Sequence, residues 1–334
     1  MDLKRLLKRG ALLAAANWQT VAIQFIAQTT FQVLVAVPVI GAALMVAVLL
    51  GGDVTNVFQG STRDRLASVA DALTAEPVAF VAFITAFGIV LVGGSVLMFL
   101  VKGGTMAVLI EANEHAGPIE SDPITYDALR SAARFSMPAF LDGCRRLFRP
   151  YLSLGLALMA VYTVSGMAYL GLIVYGYRAA GVRSLPVGWA AVAALAAIAL
   201  VLWITLVNLV YLLMQMAMAV EQAGLVDAAR AVAGFARAEA RGLGGIFLVV
   251  LAMVVGATLA SALAWSGVGL VAFVPLVGLA VFPLQIAALL IRGLVFEYIG
   301  LTALGAYLSL YRRHVLARAV DRPSSVPAPV TSVG

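Results

Sequence analysis

Few residues of this sequence could do chemistry, and the clearest pair lies in apolar surroundings. Arg292 and Glu297 fall within a long apolar stretch, where ionisable side chains mark either function or ion pairing. A spacing of five residues places them ~140° apart on an ideal helix, so they meet only if the helix breaks at Gly293. Gln285 lies seven residues before Arg292 and shares its face. A structural ion pair and a site for a substrate or lipid phosphate both stay open.

Amide side chains form the second candidate set. Gln24, Gln28 and Gln32 are spaced by four and stack on one face of a predicted helix, and Asn208 lies in a later apolar run. An amide surrounded by hydrocarbon needs a hydrogen-bond partner. These residues therefore either join neighbouring helices or line a polar path, and with the previous set they form one candidate intramembrane polar site.

The sequence lacks the residues that a metal, cofactor or catalytic site would need. One cysteine, Cys144, and two distant histidines, His115 and His314, do not supply the three or four ligands of a zinc or di-iron site. The sequence contains no nucleophile elbow, no phosphate-binding glycine loop and no pair of carboxylates inside an apolar run. We therefore expect no metal, no cofactor and no enzymatic activity.

The composition decides the class of protein. Of 334 residues, 63% are apolar and 11% are charged, whereas soluble domains have ~45–50% apolar and ~25% charged residues. The polar surface is too small for a water-soluble particle. This excludes a soluble enzyme, a disordered chain and a nucleic-acid-binding protein, despite a net charge of +6. The sequence predicts an all-α polytopic membrane protein.

Six membrane spans account for the apolar runs. A helix needs ~20 residues to cross a ~30 Å hydrocarbon core. The last stretch could hold either one kinked helix or two short spans. The runs are Val21–Leu50, Val78–Val101, Tyr151–Tyr177, Val187–Val220, Ile246–Ala264 and Val268–Tyr311.

The distribution of basic residues favours the six-span arrangement. Most of the 22 basic residues precede the first span, follow the last, or lie between spans two and three or four and five, with Lys102 in the connection between two and three. By the positive-inside rule we expect three hairpins in a bacterial inner membrane, with both termini cytoplasmic.

The chain divides into three predicted parts. Residues 1–20 form an N-terminal amphipathic cytoplasmic helix, 21–311 a six-helix transmembrane domain, and 312–334 a cytoplasmic, disordered tail. The basic and then apolar start is like a signal peptide, but its apolar core is short and continues into a full-length span. The end of the tail is rich in Pro and Ser.

The cytoplasmic connections are predicted to contain amphipathic helices. Asp122 is placed to cap a helix beginning at Pro123. After Ser136, apolar residues recur at helical spacing with arginines on the other side, and the next connection repeats this design. Such helices suit the headgroup region of an anionic leaflet, with docking of another membrane protein as the alternative. The candidate lipid-headgroup contacts are Arg145, Arg146, Arg149, Arg230 and Arg237.

The two connections resemble each other. Glu111 to Phe135 and Glu221 to Phe235 share the order span, Glu, Ala-Gly, Asp-Ala-x-Arg, Phe, span. Lys4 to Asn17 is a candidate third copy. The chain then consists of three units, each an amphipathic helix followed by a transmembrane hairpin.

From Val101 to Arg313 this layout resembles a loose group of uncharacterised bacterial multi-pass membrane proteins, similar to the membrane domain fused to some glycerophosphodiester phosphodiesterases. In place of the tryptophan that follows the arginine in that pattern, this chain has Ala231-Val232-Ala233. It contains no soluble phosphodiesterase domain, so no catalytic residue carries over. The resemblance implies the architecture alone. It is carried by Glu221, Gly224, Asp227, Ala228, Arg230, Phe235 and the segment Tyr307–Arg313.

These features predict a non-enzymatic membrane organiser or assembly factor that binds anionic lipid or another membrane protein. The alternative is a transporter or permease whose polar path is lined by Arg292, Glu297 and the face of Gln24, Gln28 and Gln32. The amphipathic connections and the scarcity of intramembrane charge favour the organiser. Internal repeats and broken helices, which are common in transporters, favour the alternative.

Overall fold

The described part of the chain is helical. The computed structural model describes residues 2–50, 77–182, 186–272 and 277–320, and within these ranges it has nine helices and no strand. The prediction of an all-α protein is confirmed. The helices are α1 (Leu3–Ala16), α2 (Trp18–Leu50), α3 (Pro77–His115), α4 (Tyr126–Ala132), α5 (Met137–Val182), α6 (Pro186–Glu221), α7 (Leu225–Ala238), α8 (Ala240–Ala272) and α9 (Val277–Val320).

Six of these helices, α2, α3, α5, α6, α8 and α9, are long and apolar enough to cross a membrane. Within each pair α2–α3, α5–α6 and α8–α9 the helices pack against each other, which gives the three predicted hairpins. Large apolar side chains on them, such as Val78 and Leu263, are exposed in the isolated chain, as surfaces that face lipid must be. The protein is a multi-pass membrane protein.

Most of the last apolar stretch, from Val277 onward, belongs to one long helix. α9 runs from Val277 to Val320 with Pro283 inside it, and a proline removes a backbone hydrogen bond without necessarily ending a helix. Within the described part of this stretch one helix segment, Pro283–Val320, is long and apolar enough to span a membrane, which agrees with the one-span alternative. Residues 312–320, predicted as the start of the disordered tail, are helical. Residues 321–334 lie outside the described part, as does the first interhelical connection, 51–76.

The nine helices form three units of three, α1–α3, α4–α6 and α7–α9, each with one short helix and one hairpin. α1 packs on α9, α4 and the start of α5 pack on α3, and α7 packs on α6. The start of each unit thus contacts the last helix of the unit before it, and the first unit contacts the third. The three units close into a ring.

Most of the buried side chains lie at the end of the bundle that carries α1, α4 and α7, here called the short-helix end. Apolar side chains of two of these short helices face other helices. Leu6 and Leu13 of α1 and Val232 and Phe235 of α7 are buried. Leu6, Val232 and Phe235 join one core with side chains from the long helices, among them Met106, Tyr151, Met216, Leu301 and Tyr311. Leu13 packs in a smaller cluster with Ile119 and Ala132. Other helices of the same chain cover these buried side chains.

The backbones of α1 and α9 are in close contact. A Cβ atom on Gly10 would overlap the carbonyl oxygen of Thr302 and lie 2.8 Å from the backbone nitrogen of Ala306, and a Cβ on Gly305 would lie 3.0 Å from the Cα of Gly10. The contact therefore requires glycine on both helices.

α4 begins later than the sequence predicts. Its first residue is Tyr126, and the hydroxyl of Thr125 accepts a hydrogen bond from the backbone nitrogen of Ala128 at 3.3 Å. The prediction that Asp122 caps a helix starting at Pro123 is wrong. The carboxylate of Asp122 instead accepts a 2.5 Å hydrogen bond from Lys8, which lowers the pKa of that carboxyl.

Candidate functional site

A cavity of about 620 Å³ lies between α3, α5 and α6. Most of its wall is apolar, but each of the three helices contributes polar side chains. The exposed residues Thr163 and Asn208 belong to the wall, so the cavity opens on the surface of the bundle. Its polar lining consists of Ser95, Lys102, Tyr162, Thr163, Asn208, Tyr211 and Gln215.

Lys102 is the cation of this cavity. α3 continues through it to His115, and the apolar segment that could span a membrane, Val81–His115, includes it. α3 thus extends beyond Val101, the predicted end of span two, and Lys102 lies within this helix. Its Nζ atom lies 5.2 Å from the centre of the Tyr211 ring, over its face, within the range of a cation–π interaction. Among the residues that the structure describes, no carboxylate lies within 4.0 Å of this atom and none accepts a hydrogen bond from it.

α6 supplies three polar residues on one face, at spacings of three and four. The hydroxyl of Tyr162 on α5 donates a 2.6 Å hydrogen bond to Oδ1 of Asn208. The Tyr211 hydroxyl and Nε2 of Gln215 are buried and have no hydrogen-bond partner within the described ranges. An unpaired buried polar group costs about 1–3 kcal/mol. The wall therefore carries polar groups that packing between these helices alone leaves unsatisfied.

The structure separates the two charges predicted on α9. The helix passes Gly293 without a break, and Arg292 and Glu297, both described, form no ion pair. The guanidinium of Arg292 lies 5.7 Å from the centre of the Phe296 ring. Gly293 has a packing role, since a Cβ atom there would overlap the ring of Phe25 on α2. The break that would let the two charges meet does not occur.

Arg292 and Glu297 also face different surroundings. Arg292 lines a second cavity of about 380 Å³ between α8 and α9, whose other lining residues are almost all apolar. Glu297 is half-buried, and the charge that acts on it is Lys102 of α3. Within the described ranges Glu297 forms no ion pair with a residue of its own helix or of another helix.

The predicted amides are not gathered in one place. Gln24 and Gln28 are half-buried and Gln32 is exposed, and Oε1 of Gln24 is buried without a partner among the described residues. Gln285 is half-buried on α9. Neither of the two cavities is lined by these four glutamines, while Asn208 lines the first. The predicted intramembrane polar site is thus distributed over several helix contacts.

The predicted lipid-contact arginines are all exposed. On α5 the apolar side opposite Arg145 and Arg146 packs on Gly103 and Gly104 of α3. Its buried residues are Phe140, Cys144, Leu147 and Tyr151. In the described part of the chain Arg145, Arg146, Arg149 and Arg237 have no ion pair, and Arg230 pairs with exposed Asp227 at 3.1 Å.

Other charged residues of the short-helix end are occupied by structural contacts. Nη1 of Arg9 lies 2.8 Å from Glu120, with both side chains largely buried, and Nε of Arg9 donates to Asn113 at 2.8 Å. Arg312 forms an ion pair with Glu114. These contacts join α1 and α9 to the end of α3 and α1 to the connection after it. Sequence spacing gives no sign of them, because the partners are about 100 residues or more apart.

The residues that carry the family resemblance meet at the end of α9. The Tyr311 hydroxyl donates to the carboxylate of Glu221, and the Phe235 ring meets the Tyr311 ring edge-on at 5.0 Å between centres. These contacts fix α7 between α6 and α9, which is a structural role. No protein-family model, no curated protein and no solved structure matches this chain, so the resemblance to the membrane domain fused to some glycerophosphodiester phosphodiesterases stays a prediction.

Proposed function

We propose that this protein is a non-enzymatic membrane organiser that binds anionic lipid at its short-helix end. The observation that carries the proposal is the contrast between two sets of arginines there. Arg9 and Arg312 are held by carboxylates, whereas Arg145, Arg146 and Arg149 are exposed without an ion pair in the described ranges. The second set is free to bind an external anion.

The position of these arginines favours a lipid headgroup as that anion. They lie near the start of α5, just before its uncharged apolar run Tyr151–Tyr177, a position that suits contact with the headgroups of a bilayer. A basic residue near an anionic leaflet contributes ~1 kcal/mol, screened over about a Debye length. In this proposal the protein lies in a bacterial inner membrane with both termini cytoplasmic, so that the short-helix end faces the anionic leaflet.

A triple substitution tests the proposal. Changing Arg145, Arg146 and Arg149 to Gln should reduce retention of phosphatidylglycerol or cardiolipin at least tenfold, given ~1 kcal/mol per residue, as measured by native mass spectrometry of the detergent-extracted protein. The matching triple change to Lys preserves the charge and should retain lipid. Arg178→Gln, near the other end of α5, should have no effect.

Unchanged lipid retention in the Gln variant would contradict the proposal. If a co-purifying membrane protein were lost instead, the same surface would be a protein-docking site. The transporter alternative has less support, because Arg292 lines the cavity between α8 and α9 whereas Glu297 and the three glutamines of α2 do not.

A further inference from the structure

The cavity between α3, α5 and α6 combines an intramembrane cation with a long apolar wall. We propose that it binds one amphiphile with an oxyanion head, a carboxylate or a phosphate, with the head at Lys102 and the tail along the apolar wall. None of the three arginines of the proposed headgroup surface lines this cavity, so the inference does not depend on the proposed function.

Lys102 carries the first part of the argument. An ammonium group inside a span is costly to maintain, and Lys102 keeps it beside the face of Tyr211 rather than at the end of the helix. Its three N–H donors have no acceptor within the described part of the chain. Glu297 acts on it electrostatically from beyond ion-pair distance and accepts no hydrogen bond from it. The oxygen of an anionic head supplies that acceptor.

The remaining polar groups extend the set of donors. Oδ1 of Asn208 already accepts from Tyr162, which leaves the Asn208 amide N–H groups as donors. Gln215 has an unpaired Nε2 and Tyr211 an unpaired hydroxyl. Carboxylate and phosphate oxygens are acceptors. A cavity rich in unused donors is therefore complementary to an oxyanion.

The apolar wall specifies an amphiphile rather than a free anion. It is built from α3, α5 and α6 together, and the cavity of about 620 Å³ opens to the surface beside the exposed residues Thr163 and Asn208. Those residues lie in membrane-spanning helices, so the opening faces lipid. The apolar residues of the cavity wall include Leu91, Phe99, Leu158, Met159 and Leu212.

The test measures binding to the full chain in a non-ionic detergent after delipidation. The probes are oleate, lysophosphatidylglycerol and inorganic phosphate. We expect one saturable site for oleate or lysophosphatidylglycerol, and the tighter of the two identifies the head as carboxylate or phosphate. Inorganic phosphate at millimolar concentration should not displace either probe. Displacement by inorganic phosphate would overturn the amphiphile assignment.

Substitutions locate the site. Lys102→Met should weaken binding at least tenfold and Lys102→Arg should largely preserve it. Arg292→Met is the matched control, because it removes another intramembrane cation that lines a different cavity, and it should bind like the wild type. Equal weakening by both Met variants would overturn the proposal, since binding would then follow overall charge.

A second variant keeps the test decisive if Lys102→Met does not fold. Ser95 lines the cavity on α3, and Ser95→Phe should fill the space for the tail and abolish binding while the thermal unfolding midpoint stays near that of the wild type. Wild-type binding in a folded Ser95→Phe protein would overturn the proposal, as would the absence of a saturable site in the wild type.

Discussion

At the scale of single residues, the intramembrane charges show how much the spacing of residues along one helix can predict about their surroundings. Arg292 and Glu297 stand out in the sequence because they interrupt an apolar stretch. Ending the second apolar run at its first charge places Lys102 in a connection, although Gly103 to Ile110 after it are apolar enough to continue the helix. That continuation was the available signal. The proximity of Lys102 and Glu297 depends on how α3 and α9 are placed against each other, which spacing along one helix does not give.

The relation between these charges gives a residue-scale prediction. Because Glu297 interacts with Lys102 and not with Arg292, Lys102→Met and Glu297→Gln should be coupled by roughly 1 kcal/mol in the free energy of unfolding. Arg292→Met and Glu297→Gln should be additive within about 0.5 kcal/mol. Double-mutant cycles of unfolding in mixed micelles measure both values. A larger coupling for Arg292 than for Lys102 would contradict the observed arrangement.

At the scale of elements, the sequence predicts which side of a short helix is apolar but not what covers it. The residues Leu6 and Leu13 of α1 and Phe235 of α7 have the spacing of a helix that lies on a membrane, and here they are buried by neighbouring helices. Lipid and protein interiors are equally apolar, so the periodicity is the same in both cases. Close contacts between helices decide whether lipid or protein covers the apolar side. Such contacts depend on residues such as Gly10, which do not contribute to the hydrophobic periodicity.

The contact between α1 and α9 gives the element-scale prediction. Alanine at Gly10 gains helix propensity of up to about 1 kcal/mol, but its Cβ would overlap the backbone of α9 at Thr302, and overpacking against backbone costs ~1–3 kcal/mol. We expect the steric cost to exceed the gain in helix propensity, so Gly10→Ala should lower the thermal unfolding midpoint of the detergent-solubilised protein.

Gly234→Ala is the control for this comparison. Gly234 lies within the short helix α7, and nothing lies within 4 Å of a Cβ atom built there. The propensity gain should therefore appear alone, with an unchanged or higher midpoint. If Gly10→Ala were as stable as Gly234→Ala, α1 would not be packed against α9 as described.

At the scale of the whole molecule, apolar runs and charge were sufficient to predict six spans in three hairpins, because both follow from the cost of exposing chain to lipid or water. The three-unit repeat also has a counterpart in the structure, where each unit begins with a short helix. The closure of the units into a ring was not predictable. It depends on contacts such as that of α1 with α9, between residues almost 300 positions apart.

The arrangement of the helix ends predicts the membrane topology. Asp142 and Ala179, both exposed, are 37 residues apart on α5, a separation of about 55 Å at 1.5 Å per residue, so a hydrocarbon core of ~30 Å separates them. Arg312 pairs with Glu114 near the end of α3, and α3 packs on the start of α5. Exposed Ala317 of α9 must therefore lie on the same side as Asp142.

In a Cys144→Ser background, cysteines at Asp142 and Ala317 should react with a membrane-impermeant thiol reagent from one side, and a cysteine at Ala179 from the other. Labelling of Ala317 and Ala179 from the same side would mean that α9 does not complete a sixth span.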